Sequence, residues 1–76
     1  MNTVMIGIKT DFIKLDQFLK FAGIAESGSY AKMMILDGTV SVNGQICTQR
    51  GKKLYSDDIV EIEDYDEIFK VTKEEE

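Results

Sequence analysis

Gly38-Thr39-Val40-Ser41-Val42-Asn43-Gly44-Gln45-Ile46-Cys47-Thr48 is the stretch that decides the architecture. Thr39 to Val42 alternates polar and β-branched residues, the period of a half-buried strand, and Gln45 to Thr48 returns in kind. Asn43-Gly44 between them supplies two residues that tolerate positive φ, as a type I′ turn demands, so a β-hairpin is predicted here.

Upstream the period is 3.6 rather than 2. Ala31, Met34 and Ile35 line one face of a helix, with Ser27 placed as its N-cap and Gly38 as its stop. Before that, Leu15, Phe18, Leu19 and Ala22 fall at i, i+3, i+4 and i+7, which predicts another amphipathic helix with Gly23 at its end. Asp11 is positioned to cap it. Only a few residues separate the two helices, so they are expected to form a compact corner. Val4 to Ile8 reads as a short strand at the beginning of the chain.

Downstream of the hairpin, Gln49-Arg50-Gly51-Lys52-Lys53 is a basic loop leading to Leu54. Ser56-Asp57-Asp58 turns the chain into a strand, Ile59 to Ile62. Ile68 to Val71 is a candidate last strand, open to pairing with the first. Glu74-Glu75-Glu76 reads as a solvated tail. The chain contains no proline, and no internal repeat or linker interrupts it. An α+β class follows: two packed helices against a small, mainly antiparallel sheet, in one domain spanning residues 1–76.

Composition excludes several chemistries. With 76 residues, the chain holds one small core. It has no histidine and only Cys47, which removes Ser-His and Cys-His nucleophile pairs, intrachain disulfides and the usual tetrahedral zinc sets. No Walker-type phosphate loop or GxGxxG fingerprint occurs. Asp64-Tyr65-Asp66-Glu67 lacks EF-hand spacing and reads as a solvated turn. Cys47 reads as a small apolar strand residue. A non-enzymatic protein without cofactor or metal is therefore expected. No apolar run approaches the ~20 residues of a membrane helix, and Met1 to Thr10 lacks the pattern of a secretion signal. A reducing, cytoplasmic setting is the expectation.

The net charge of −5 is unevenly distributed. Residues 1–56 carry seven Lys or Arg against four acids, a balance of +3, whereas residues 57–76 carry ten acids against two lysines, a balance of −8. Phosphate responds to local potential, and beyond a Debye length of about 8 Å the acidic segment is largely screened. An overall acidic protein with Arg50, Lys52 and Lys53 concentrated in four residues thus remains a candidate for binding nucleic acid.

The order helix, helix, Asn-Gly hairpin, basic loop and strand resembles the S-four (ribosomal protein S-four-like) RNA-binding domain family, also described as the alpha-L RNA-binding motif. The resemblance is carried by Lys14-Leu15-Asp16-Gln17-Phe18-Leu19-Lys20, Ala25-Glu26-Ser27-Gly28-Ser29-Tyr30-Ala31-Lys32, and Gly38-Thr39-Val40-Ser41-Val42-Asn43-Gly44. Arg50-Gly51-Lys52-Lys53-Leu54 and Asp58-Ile59-Val60-Glu61-Ile62 complete it. These pieces cover about residues 13–63, leaving an acidic C-terminal segment, 64–76. The chain looks most like the short, stand-alone bacterial YaaA-like members.

The resemblance implies binding of structured RNA, ribosomal RNA or tRNA, along an L-shaped face. Lys14, Ser27, Ser29 and Lys32 would lie on its helical arm, and Asn43, Gln45, Arg50, Lys52 and Lys53 on the hairpin and loop. Lys and Arg neutralise phosphates, while short polar side chains and backbone N–H groups fix register. The first turn of the second helix, bared at Gly28, offers further N–H groups. Two positions depart from the family pattern: Gly28 stands where a basic residue is frequent, and Asp57 where glycine is usual. Asp tolerates the left-handed conformation but adds negative charge. Tyr30, Met33 and Leu36 form a second apolar row beside the core face of their helix. This row is either a protein-docking stripe or is covered by a terminal extension. A protein-interaction adaptor that kept the fold and lost much of its RNA affinity is accordingly the alternative function.

Overall fold

The computed structural model describes residues 2–74. Nine elements follow in order: β1 (Thr3–Ile8), β2 (Ile13–Lys14), α1 (Leu15–Phe21), α2 (Gly28–Leu36), β3 (Val40–Val42), β4 (Gln45–Ile46), β5 (Lys53–Leu54), β6 (Ile59–Ile62) and β7 (Ile68–Lys73). Five strands form one sheet in the order β1-β7-β6-β3-β4, and β2 and β5 form a separate two-stranded ladder. Among the described residues only β1 and β7 pair in parallel, from Thr3 opposite Ile68 to Ile8 opposite Lys73. The other pairs are antiparallel. The expected α+β arrangement of two helices and a mainly antiparallel sheet is thus observed.

The hairpin forms as its sequence demands. Asn43 and Gly44 adopt φ of 51° and 86°, and Val42 pairs with Gln45 across the turn. The return strand is shorter than expected. It ends at Ile46, and Cys47 lies beyond it, half-buried against the core with its N–H donating to the Val40 carbonyl. Neighbouring β6 alternates half-buried and buried residues, which places Val60 and Ile62 on the inner face. Phe69 and Val71 of β7 do the same.

Against that face sit the helices. Leu15, Phe18 and Leu19 of α1 and Ala31 and Ile35 of α2 are fully enclosed, joined by Val40, Leu54, Val60 and Val71. A large apolar side chain buried this way contributes roughly 1.5–3 kcal/mol. No polar side chain is buried among the described residues. Ser27 caps α2 as expected, its Oγ accepting from the Tyr30 N–H at 3.1 Å. Ala22 corrects one expectation: it is the C-cap of α1, half-buried rather than part of the enclosed face.

Asp11 provides a second correction. The N-cap of α1 is Lys14, and no side chain caps this helix. Its first N–H groups are satisfied from far along the chain: Leu15 donates to the Lys52 carbonyl (2.8 Å) and Asp16 to the Arg50 carbonyl (3.1 Å). The Asp11 carboxylate instead accepts from Lys73 Nζ at 2.7 Å. That hydrogen bond, and the lysine's charge, hold the carboxyl below its ordinary pKa. Near the other terminus, the Glu74 N–H donates to the Ile8 carbonyl, so Glu74 is tied to β1 rather than free. Glu75 and Glu76 lie outside the described residues.

Candidate nucleic-acid interface

The loop after the hairpin is basic by sequence but is held in place by backbone bonds. Its carbonyls at Arg50 and Lys52 take the N–H groups at the start of α1, and the Lys52 N–H closes a turn on the Gln49 carbonyl (3.1 Å). Acceptors at a helix N-terminus also complement its macrodipole. One residue further on, β5 pairs with β2, setting Ile13 opposite Leu54 and Lys14 opposite Lys53. Leu54 is fully buried and Ile13 partly so, which turns Lys14 and Lys53 to solvent. Lys14, Arg50, Lys52 and Lys53 therefore meet at one corner although 36 residues of numbering separate the first two.

These four cations have no carboxylate partner within ion-pair distance among the described residues. The two ion pairs formed there are Lys73 with Asp11 and Lys70 with Asp57, at 2.7 and 3.6 Å. Asp57 does adopt the left-handed conformation expected of it, with φ of 79°. Its carboxylate is answered by Lys70 of β7, and its N–H donates to the Val71 carbonyl.

The remaining sequence-predicted residues are spread over other elements. Ser27 is exposed at the N-cap of α2, Ser29 and Lys32 are exposed on the helix itself, and Gln45 is exposed on β4. The Ser27 hydroxyl is occupied in capping. Asn43 is engaged more deeply: its Oδ1 accepts from the Ile59 N–H (2.9 Å) and its Nδ2 donates to Asp58 Oδ1 (3.1 Å). Asp58 Oδ2 in turn accepts from the Tyr55 N–H at 2.8 Å. The Asn43 amide thus ties the hairpin to β6 and, through Asp58, to the residue that follows β5.

Sequence reasoning missed Phe12 and Tyr55. They flank the β2–β5 ladder on its solvent side, with ring centroids 6.0 Å apart and planes tilted by 48°. Lys53 Nζ stands 4.8 Å from the Phe12 centroid, a cation–π contact. Phe12 is 36% exposed and Tyr55 50%. A signal was present in the alternation Phe12-Ile13-Lys14-Leu15 and Lys53-Leu54-Tyr55, which sets aromatic and cationic residues on one face of two short strands.

Away from this corner, Tyr30, Met33 and Leu36 are 51, 59 and 58% exposed, so the row stands open to solvent. Tyr30 and Met33 border a groove of about 340 Å³ that also takes in Ile24, Asp37, Glu63 and Tyr65. Among the described residues there is no cluster of three or more metal-ligating side chains and no helix long and apolar enough to cross a membrane.

The model of the S4 domain matches residues 6–72, nearly the whole chain. A protein of Bacillus subtilis (strain 168) named as a probable ribosome maturation protein, RlbA, is 45% identical over 60 residues, 79% of this chain and 84% of its own length. With the domain match running from β1 into β7 and a relative aligned over most of both sequences, the chain belongs to the S4 domain family.

Proposed function

We propose that this protein is a non-catalytic module that binds structured RNA, in the first place ribosomal RNA, with tRNA as the other candidate. The observation that carries this reading is the corner of Lys14, Arg50, Lys52 and Lys53, four exposed cations held together by backbone bonds and free of carboxylate partners among the described residues. Clustered cations that are not tied up in ion pairs raise the local potential and suit a polyanion. Ser27, Ser29, Lys32, Asn43 and Gln45 extend the contact along α2 and the hairpin, and recognition is led by duplex shape, phosphates and 2′-hydroxyls. The relative's name, a ribosome maturation protein, supports ribosomal RNA as the ligand and the bacterial cytoplasm as the setting. Crosslinking the tagged protein in cells and sequencing the attached RNA tests the reading. Enrichment of ribosomal or transfer RNA is expected, and recovery of RNA no different from an untagged control would overturn it.

A second reading is favoured by one observation, the open row of Tyr30, Met33 and Leu36. An adaptor role would place a protein partner there, its apolar anchor in the groove and its basic residues against Asp37 and Glu63. In this second reading the fold is kept and much of the RNA affinity is lost, with the partner on the α2 row rather than RNA at the corner of β2, β5 and the loop between β4 and β5.

A further inference from the structure

We propose that Phe12 and Tyr55 form a stacking site for a single unpaired nucleobase, beside phosphates held by Lys14 and Lys53. The inference rests on the RNA-binding reading above and narrows its ligand to RNA in which a bulged or loop nucleotide adjoins a duplex.

Single exposed apolar residues are ordinary on a protein surface. Two aromatic rings side by side, each at least a third open and set among cations, are a different matter. With centroids 6.0 Å apart and planes tilted by 48°, the two rings are not stacked face to face. Tyr55 is half exposed, and its backbone is pinned by the Asp58 carboxylate at 2.8 Å, so the ring is presented from a fixed point. Phe12 already holds a cation, Lys53 Nζ, at 4.8 Å. Lys14 lies directly across the ladder from Lys53. The surface therefore offers apolar ring faces next to phosphate-binding charge, which is the combination a nucleotide presents in reverse.

A paired base has its faces covered by its neighbours in the stack, so only an unstacked base reaches a protein ring. Base–aromatic stacking is tolerant of base identity, because every base has a π-face. The site accordingly selects for an unpaired nucleotide rather than for a sequence.

Two RNA hairpins that differ by one bulged 2-aminopurine test this. The wild-type protein is expected to bind the bulged hairpin at least about fivefold more tightly, the weak end of the stacking range, and to change its 2-aminopurine fluorescence. Tyr55→Leu should remove both effects and leave affinity for the fully paired hairpin unchanged, whereas Tyr55→Phe should keep both. Circular dichroism checks that each variant is folded. Equal wild-type affinity for the two hairpins overturns the stacking site while leaving the RNA-binding reading standing. A preference that survives in both folded Tyr55→Leu and Phe12→Leu overturns it as well. Failure to bind either hairpin at low salt overturns the RNA-binding reading and the stacking site with it.

Discussion

Lys14 stands directly opposite Lys53 across the two-residue ladder of β2 and β5. Like charges in facing positions of an antiparallel pair are destabilising, by a few tenths to about 1 kcal/mol. The pairing survives because Ile13 and Leu54, the other rung, pack into the core. A phosphate placed between the two ammonium groups would turn the repulsion into attraction, so the protein's stability and its proposed RNA affinity are set against each other at this rung.

Lys14→Glu should expose that opposition. The substitution places an acid across from Lys53 and adds negative charge at the start of α1, both favourable locally. Stability in urea is expected to stay the same or rise by about 0.5 kcal/mol, since exposed pairs contribute little. RNA affinity should fall roughly tenfold or more, hydrogen bonds to charged groups being worth about 1.5–3 kcal/mol. A folded variant with unchanged affinity would remove Lys14 from the interface.

Arg50, Lys52 and Lys53 together should account for most of the salt dependence. With about four phosphates neutralised, log K is expected to fall against log[salt] with a slope of roughly −3 to −4. Changing all three residues to alanine should flatten the slope toward about −1 and cripple binding. Far-UV circular dichroism should not change, because the bonds from the loop to α1 are made by backbone carbonyls that alanine keeps. A steep slope in the folded triple variant would place the site elsewhere.

At the hairpin, Gly44→Val and Asn43→Ala should destabilise the fold for different reasons. Gly44 sits at φ of 86° with open space around it, so valine meets backbone strain rather than a clash, at a cost of about 1–3 kcal/mol. Asn43→Ala removes the acceptor of the Ile59 N–H and the donor to Asp58, costing about 1–2 kcal/mol. Denaturant titrations read both. Wild-type stability in either variant would contradict the turn and its tether.

Met33→Glu addresses the second reading. Met33 is 59% exposed, so the carboxylate remains in water and stability should change by no more than about 0.5 kcal/mol. RNA affinity should be nearly unaffected. If the row docks a protein, the variant should lose that partner in pull-downs from cell extract. A variant that still retrieves every wild-type partner would take the row out of the functional account.

What the sequence determined by itself was local. Asn43-Gly44, Ser27 and the apolar positions of α1 and α2 specified a hairpin, a cap and two buried faces, and the structure contains each of them. Dihedral preference and periodicity act within a few residues, so their signals are complete within a short window. Tertiary structure alone decided what meets across the chain. Strands β2 and β5 are two residues each, so the alternation over Phe12 to Leu15 and Lys53 to Tyr55 is too brief to identify either strand or its partner. The N–H groups of α1 are met by carbonyls, which every residue possesses, so no residue type announced that loop 49–52 would cap the helix in place of Asp11. Asp11 itself found Lys73, 62 residues away. The same pairing that hid in two short strands brought Lys14 to Lys53 and Phe12 to Tyr55. Long-range contacts of this kind are fixed by the packing of Ile13, Leu15 and Leu54 into a shared core, and the charges and rings on the outer face are carried along with them.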